Sequence, residues 1–378
     1  MLTTEDEDLC RHIGVFTVRL CFIADGRSIH TQRWAGHFGK DHEVHLITYD
    51  DPGRDLPGVT VHVVRSRFEN LYLAFWPRHI RVRRLIEEID PDLVHAQFIT
   101  KYGFHLPLGS RWPTVVSAWG DDILILPPRS RLIRRYTKRV LEGVDLVYAV
   151  SEDLRTHIVK DFGIPPGKVR YVPIGIDTSV FFPGTRENGK DRPVVIFSNR
   201  GFFPVYDTRT LLAGFDSARR ANPRISLVLK GDGPQEAEMR RLVASMDLSE
   251  TVTFRERSDY SEVPADLQGA DIFVSTATSD GTPVSVLEAM STGLPCIATN
   301  VGGVPEWIQD GVNGLLIPPK NPGALSRAIL TLAADPALRR HLGARARETV
   351  RERADWGRLM VQVDDDYKKL IAARGGGR

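Results

Sequence analysis

Residues 271–299, DIFVSTATSDGTPVSVLEAMSTGLPCIAT, read as strand, loop, helix and strand. Asp271 to Ser275 and Pro295 to Thr299 are short apolar runs with β-branched members. Between them Thr282 is a suitable N-cap and Pro283 suits a first helical position, so a helix opens there. Two strands joined by a helical crossover form the repeating unit of a parallel sheet.

The same alternation extends outward. Upstream come Pro193 to Ser198, a helix near Thr208 to Arg220, Ile225 to Lys230, a helix near Glu236 to Met246, and Thr251 to Phe254. Residues 183–192, PGTRENGKDR, are polar, carry no hydrophobic period and read as a linker. Before them the rhythm appears again. Strands are expected at Val18 to Ala24, Glu43 to Thr48, Val59 to Val64, Asp92 to Ala96, Thr114 to Ala118, Asp145 to Val150 and Lys168 to Val172. Helices are expected near Thr31 to Phe38, Ala74 to Glu88, Ser130 to Glu142 and Glu152 to Asp161. The expectation is two tandem, doubly wound, Rossmann-like α/β domains, residues 13–182 and 193–355, with a final helix over 356–372. Ligands of such sheets bind at the carboxyl ends of the strands, so an active site is expected in a cleft between the two domains.

Composition excludes several classes. A chain of 378 residues, 42% hydrophobic and 26% charged, has material for more than one core and is neither fibrous nor disordered. Its net charge of +2 advertises no nucleic-acid surface. Cys10, Cys21 and Cys296 are too few and scattered for a disulfide framework and have no metal-ligand spacing, which fits a cytoplasmic setting. Glu5 to Asp8 is acidic where a secretory leader is basic, and no apolar run nears the ~18 residues of a membrane span. No Gly-x-Gly-x-x-Gly follows a strand, which disfavours a nicotinamide cofactor; no cofactor and no metal are expected.

The chemistry concentrates in Ser279 to Glu288, SDGTPVSVLE. At a helix start the amides of Val284 and Ser285 and the helix dipole favour an anion such as a pyrophosphate, and Gly281 lets that anion come close. Glu288, a turn and a half further on, is placed to accept from the vicinal hydroxyls of a ribose. An ordinary capped helix with a surface Glu is the plainer reading of those ten residues alone. Two more glycine loops end strands of the same sheet, Gly231-Asp232-Gly233-Pro234 and Val301-Gly302-Gly303-Val304-Pro305-Glu306. Three such loops suggest a floor that accommodates phosphate.

Around these motifs the chain resembles the retaining nucleotide-sugar glycosyltransferases of family 4, with their two-domain GT-B fold. One long match runs from Ser279 to Ile329; further matches are DLVYAVSEDLRTHIV and VPIGIDTSVFFPG late in the first domain, NRGFFPVYDTRTLLAGF after the linker and ADGRSIHTQRWAGHF near the start, so the resemblance covers nearly the whole chain. The resemblance implies sugar transfer from a UDP-, GDP- or ADP-linked donor to a small-molecule, glycan or lipid-linked acceptor, with retention and without metal. It also implies that the C-terminal helix crosses back onto the first domain. Asp280 and Glu288 match the family's acidic pair, the first facing sugar hydroxyls and the second the ribose. Arg200 matches the phosphate-binding Arg. Six residues on, the family has Lys and this chain has Tyr206; Lys230 or Arg209 are the candidates for the missing charge, Arg209 also reading as a solvated helix position.

The acceptor half departs further. Trp119 stands where family members carry a His, leaving Asp121 and Asp122 as sugar contacts or turn residues. His30, after the first strand, and His95, ending Asp92 to Ala96, are candidates to orient an acceptor, each with an alternative structural role. Arg129 to Arg139 holds six basic residues in eleven and no acid, with Leu132, Ile133, Tyr136 and Val140 opposite. It reads either as a helix packed on the sheet with a solvated basic face, or as peripheral contact with the inner membrane surface. Two rival functions share the fold: a pseudo-glycosyltransferase forming a C–N or C–S link, and a non-catalytic sugar-nucleotide binder. A sugar-nucleotide epimerase is a further member, distinguished by converting the donor without an acceptor.

Overall fold

The computed structural model describes residues 17–66, 71–184 and 192–375, with side chains at 71–73 left aside. Glu5 to Asp8, Cys10, most of the linker after Pro183 and Gly184, and the last three residues of the tail lie outside the described residues. The chain divides into two compact units. One ends at Val172 and takes in the chain again from Met360; the other is Pro173–Leu359.

The first unit holds β1 (Arg19–Ile23), β2 (Glu43–Thr48), β3 (Val59–Val63), β4 (Leu93–Gln97), β5 (Thr114–Ala118), β6 (Leu146–Ala149) and β7 (Val169–Tyr171). They form a seven-stranded sheet in the order β3-β2-β1-β4-β5-β6-β7, and each pair is parallel. The second unit holds β8 (Val194–Ser198), β9 (Ile225–Lys230), β10 (Val252–Arg255), β11 (Ile272–Ser275), β12 (Cys296–Thr299) and β13 (Leu315–Ile317), ordered β10-β9-β8-β11-β12-β13, again all parallel. In both sheets the first strand lies in the interior, third in the order, and the order reverses beside it, between β1 and β4 and between β8 and β11. That reversal opens a crevice at the strands' carboxyl ends.

Every residue of β4, β5, β6, β11 and β12 is buried, as parallel strands covered on both faces must be. The helices between them start where the sequence supplies caps. Ser151 accepts from the Leu154 amide, Glu152 and Asp153 fill the positive first turn, and Gly163 at φ +71° ends the helix Glu152–Phe162. Asn321 and Asp335, each followed by a proline, cap the helices Pro322–Ala334 and Pro336–Arg353.

One expectation is corrected in the basic segment. It is two helices, Leu126–Arg129 and Arg131–Gly143, separated by Ser130, which caps the second. The face that packs inward is Thr137, Val140 and Leu141, whereas Leu132 is 62% exposed and Tyr136 46%. An i, i+4 pair lying on the flank of the buried stripe cannot cover the sheet.

The helix Trp356–Ala373 belongs to the first unit from Met360 onward, where Tyr367 is fully buried against Phe38 and Trp34.

In the second unit, the helix Pro336–Arg353 crosses the turn after the helix Val284–Ser291 at Gly343, where an added Cβ would lie 2.0 Å from the Gly293 carbonyl oxygen. Gly343→Ala is therefore expected to lower stability by about 1–3 kcal/mol. Gly36→Ala, in the helix Ile29–Phe38 with nothing within 4 Å of the new methyl, is expected to raise it by about 0.5–1 kcal/mol. Urea unfolding of the two variants tests the opposite signs.

Candidate functional site

In the second unit, Arg200 follows β8 and is held by a loop laced to its neighbour through backbone. The Phe202 amide donates to the Asp232 carbonyl at 2.9 Å, and the Gln235 amide to the Phe202 carbonyl at 3.0 Å. A Cβ on Gly231 would fall 2.7 Å from the Gly201 Cα, and one on Gly233 2.6 Å from the Phe202 carbonyl carbon. Gly231 and Gly233 have φ of +139° and +152°, so both space and conformation demand glycine.

From that loop the Arg200 guanidinium reaches three partners. Nη1 donates to Ser285 Oγ at 2.7 Å, Nη2 donates to Asp280 Oδ2 at 2.6 Å, and the group lies 4.3 Å from the centre of the Tyr206 ring. Burial raises the Asp280 carboxyl above its ordinary range, against the opposing pull of Arg200 and the Gly281 amide. The glycines of the 301–306 loop act on Asp280 as well. The Gly303 amide donates to the Asp280 carbonyl at 3.0 Å, and a Cβ on Gly302 would lie 2.0 Å from the same oxygen. These glycines seat the site's backbones on one another.

The helix start differs from expectation by one residue. Pro283 is the N-cap of the helix Val284–Ser291, with φ −78° and ψ 73°, and the Val284 amide donates back to the Thr282 carbonyl at 2.8 Å. This is an inverse γ-turn. It takes up the Val284 amide, so the anion-facing groups of this turn reduce to Ser285, whose hydroxyl already meets Arg200.

Glu288 is buried and accepts from the Tyr260 hydroxyl at 2.5 Å. Lys230, ending β9, is also buried; its ammonium donates to Ser258 Oγ at 2.5 Å and pairs with Asp266. One turn, Ser258 to Glu262, thus meets both residues. Arg209 pairs with Glu238 on an exposed helix face. Tyr260 was not singled out from sequence, because nothing in RERSDYSE marks which side chain turns inward.

In the first unit the reversal between β1 and β4 holds a pocket of about 270 Å³. Asp25 and Ser28 come from the loop after β1, Phe98, Lys101 and Tyr102 from that after β4, and Trp119 from that after β5; Thr31 and Gln97, hydrogen-bonded at 2.8 Å, complete the lining. Phe98 has φ +75°, a backbone state a bulky side chain takes only when its surroundings impose it. Lys101 Nζ lies 3.9 Å from Asp25 and 4.9 Å from the Tyr102 ring centre. His30 packs on Trp119 with ring centres 5.4 Å apart, and burial, with Arg33 adding to it, lowers its pKa to about 4. The polar atoms His30 Nδ1, Trp119 Nε1 and Tyr102 Oη are buried without a hydrogen-bond partner among the described residues.

Two acceptor candidates turn out to be structural. Asp122 is fully buried, and its carboxylate accepts from the amides of Ile99, Trp119 and Gly120 at 2.8–2.9 Å, tying the loop after β4 to the loop after β5. Burial outweighs those donors and raises its pKa to about 6. Asp121 is exposed at the start of the helix Asp121–Leu124. His95 is fully buried between Tyr367 Oη at 2.6 Å and Ser117 Oγ at 2.8 Å, and desolvation lowers its pKa to about 3. Its place in the middle of a fully buried strand is what removes it from any surface.

Native His95 stays neutral through mildly acidic pH, whereas the unfolded chain protonates it near pH 6.5. The unfolded state then binds the extra proton, so this contribution is intact above pH 6.5 and drains as pH falls toward 3. His95→Gln is expected to flatten the acid loss of stability by about 1.4 kcal/mol per pH unit below pH 6. Urea unfolding of wild type and variant between pH 7.5 and 4.5 reads the difference in slope.

Among the described residues no helix is long and apolar enough to cross a membrane. Two family profiles match the chain. Glycosyltransferase Family 4 covers residues 24–180, and Glycosyl transferases group 1 covers residues 183–349. The GDP-mannose-dependent alpha-(1-6)-phosphatidylinositol monomannoside mannosyltransferase of Mycobacterium tuberculosis is 28% identical over 78% of this chain and 80% of its own. The N-acetyl-alpha-D-glucosaminyl L-malate synthase of Bacillus anthracis is 27% identical over 88% of this chain and 90% of its own. Among solved structures, the sucrose-phosphate synthase of Thermosynechococcus elongatus superposes with a TM-score of 0.77 at 22% identity, over 94% of this chain and all of that one.

Proposed function

The chain belongs to the family 4 glycosyltransferases of GT-B architecture, hexosyltransferases that use nucleotide sugars, and from that premise we propose the donor, the site and the course of its reaction. The donor diphosphate is bound at Arg200 and Ser285, Asp280 faces the hydroxyls of the donor sugar, Glu288 takes the ribose, and the pocket beside Trp119 takes a hydroxyl-bearing acceptor. GDP-mannose is the first donor to try, because several relatives are named as GDP-mannose-dependent mannosyltransferases. The observation that carries this reading is the convergence of Arg200, from the segment after β8, with Asp280 and Ser285, from the segment after β11, where the second sheet reverses.

Transfer proceeds with retention, as the family resemblance implies. The bond from the anomeric carbon to the donor phosphate breaks while a bond forms on the same face to the acceptor oxygen, and the acceptor proton passes to the departing phosphate oxygen. The charge that develops there falls to Arg200 and Ser285, so the reaction draws its electrostatic stabilisation from the chain and needs no metal. One preorganised donor of this kind contributes about 3–4 kcal/mol. Glu288, already accepting from Tyr260, is fixed in direction before a diol arrives.

The basic helix Arg131–Gly143 gives the first unit a contact with anionic membrane surface. Leu132 and Tyr136 are exposed among Arg131, Arg134, Arg135, Lys138 and Arg139, the pattern of an interfacial helix.

In a thermal-shift panel of nucleoside diphosphates, one is expected to stabilise selectively, by about 2.7 kcal/mol at a hundred times its Kd. Arg200→Ala is expected to lower turnover about a hundredfold or more with the fold intact. Wild-type turnover in that variant removes Arg200 from the chemistry, and no shift with any diphosphate removes the donor site. Sedimentation with phosphatidylserine-containing vesicles is expected at low salt and lost at high salt. Arg134→Glu with Arg135→Glu is expected to abolish it, and equal binding to neutral vesicles counts against the contact.

A further inference from the structure

Tyr206 touches Arg200 by the face of its ring, and its backbone is bound to the loop that carries Asp280. The Thr276 hydroxyl donates to the Tyr206 carbonyl at 2.9 Å and to the Asp207 carbonyl at 3.1 Å. Two residues on, the Thr278 amide donates to the Val205 carbonyl at 2.7 Å and its hydroxyl to the same oxygen at 3.1 Å. The short turn Pro204–Tyr206 and the segment 276–280 are therefore one piece of structure gripping Arg200 from two sides, by a ring and by a carboxylate.

Two of these contacts use guanidinium N–H donors, to Ser285 and Asp280; in the third the guanidinium carbon lies over the ring face. A diphosphate also binds the edge of a guanidinium, because that is where the N–H donors lie. It competes with Asp280 for Nη2 and leaves the ring contact untouched. Arg200 Nε is buried without a partner among the described residues, so it gives the side chain no further anchor. We propose that Tyr206 is a positioning residue: its ring keeps the Arg200 plane fixed while one arm of the guanidinium exchanges Asp280 for the donor diphosphate. This rests on the donor-site reading above and adds a role for a residue that reading does not need. Because position 206 is aromatic, the diphosphate at this point meets one oriented cation, and orientation takes the place of a second charge.

The test is steady-state kinetics on the full chain with the donor found in the panel. Tyr206→Leu is expected to lower kcat/KM about tenfold, the scale of a desolvated cation–π contact, and Tyr206→Phe to recover it to within about threefold of wild type. Tyr206→Gln, measured alongside, answers the same question should the leucine variant not fold. In an Arg200→Ala background, Tyr206→Leu is expected to cost nothing further, since the ring acts through the guanidinium. Tyr206→Lys is expected to steepen the salt dependence of nucleoside diphosphate binding by adding the second charge. Full activity in the leucine or glutamine variant overturns the proposal. So does a phenylalanine variant as poor as leucine, or a further tenfold loss on top of Arg200→Ala. A wild-type chain that binds no nucleoside diphosphate overturns the donor-site reading and this proposal with it; binding with indifferent Tyr206 variants overturns this proposal alone.

Discussion

A strand that pairs parallel to the one before it has to be brought back by a crossover, and the crossover returns every strand to the sheet pointing the same way. All carboxyl ends then gather on one edge of each sheet, and the loops that leave them are neighbours however far apart they lie in sequence. That constraint sets Arg200 from the end of β8 against Asp280 from beyond β11, eighty residues away in the chain. It also sets Asp25, Lys101 and Trp119 around one pocket in the first unit. Both constellations occur where strand order reverses, since only there do adjacent crossovers pass to opposite faces and leave room between their loops.

Within those crevices, rigidity comes from main chain against main chain. Gly201, Gly231 and Gly233 let two loops approach to a distance no side chain permits, and Gly302 does the same beneath Asp280, where the Gly303 amide adds a hydrogen bond. The first unit achieves a similar result with a side chain, Asp122, which joins three amides from two loops and keeps them together at the expense of burying a carboxyl. In each unit the groups that face a ligand hang from loops whose shape is already determined.

The alternation of short apolar runs with amphipathic stretches made the two-sheet fold legible in sequence. Glu43–Thr48, Thr114–Ala118 and Ile225–Lys230 have the boundaries expected from their residues, because the runs are dense and flanked by polar turns. β13, only three residues long, was missed, although Asn321-Pro322 and Asp335-Pro336 mark the two helices after it. Residue identity alone cannot say which way a side chain turns. His95 reads as available because it ends a run, yet it sits mid-strand in β4, where every residue is buried, against Tyr367; Tyr260 reads as one more polar loop residue, yet it holds Glu288. Strand order is invisible in the sequence, so the pocket residues Lys101 and Tyr102, which depend on β4 lying beside β1, were not legible there. The resemblance to family 4 led to Arg200, Asp280 and Glu288, and it is silent on Tyr206, where this chain departs.

The lacing of the Arg200 loop to the 231–235 loop has an evolutionary consequence. A substitution in either loop that adds bulk at the crossing must be answered in the other, so single steps through that region pass through unstable intermediates. Variation that changes the preferred sugar nucleotide is thereby channelled to positions that meet the site without bearing on the neighbouring backbone, such as 206 and 260. Divergence within this lineage should be recorded there, while the glycines stay as they are.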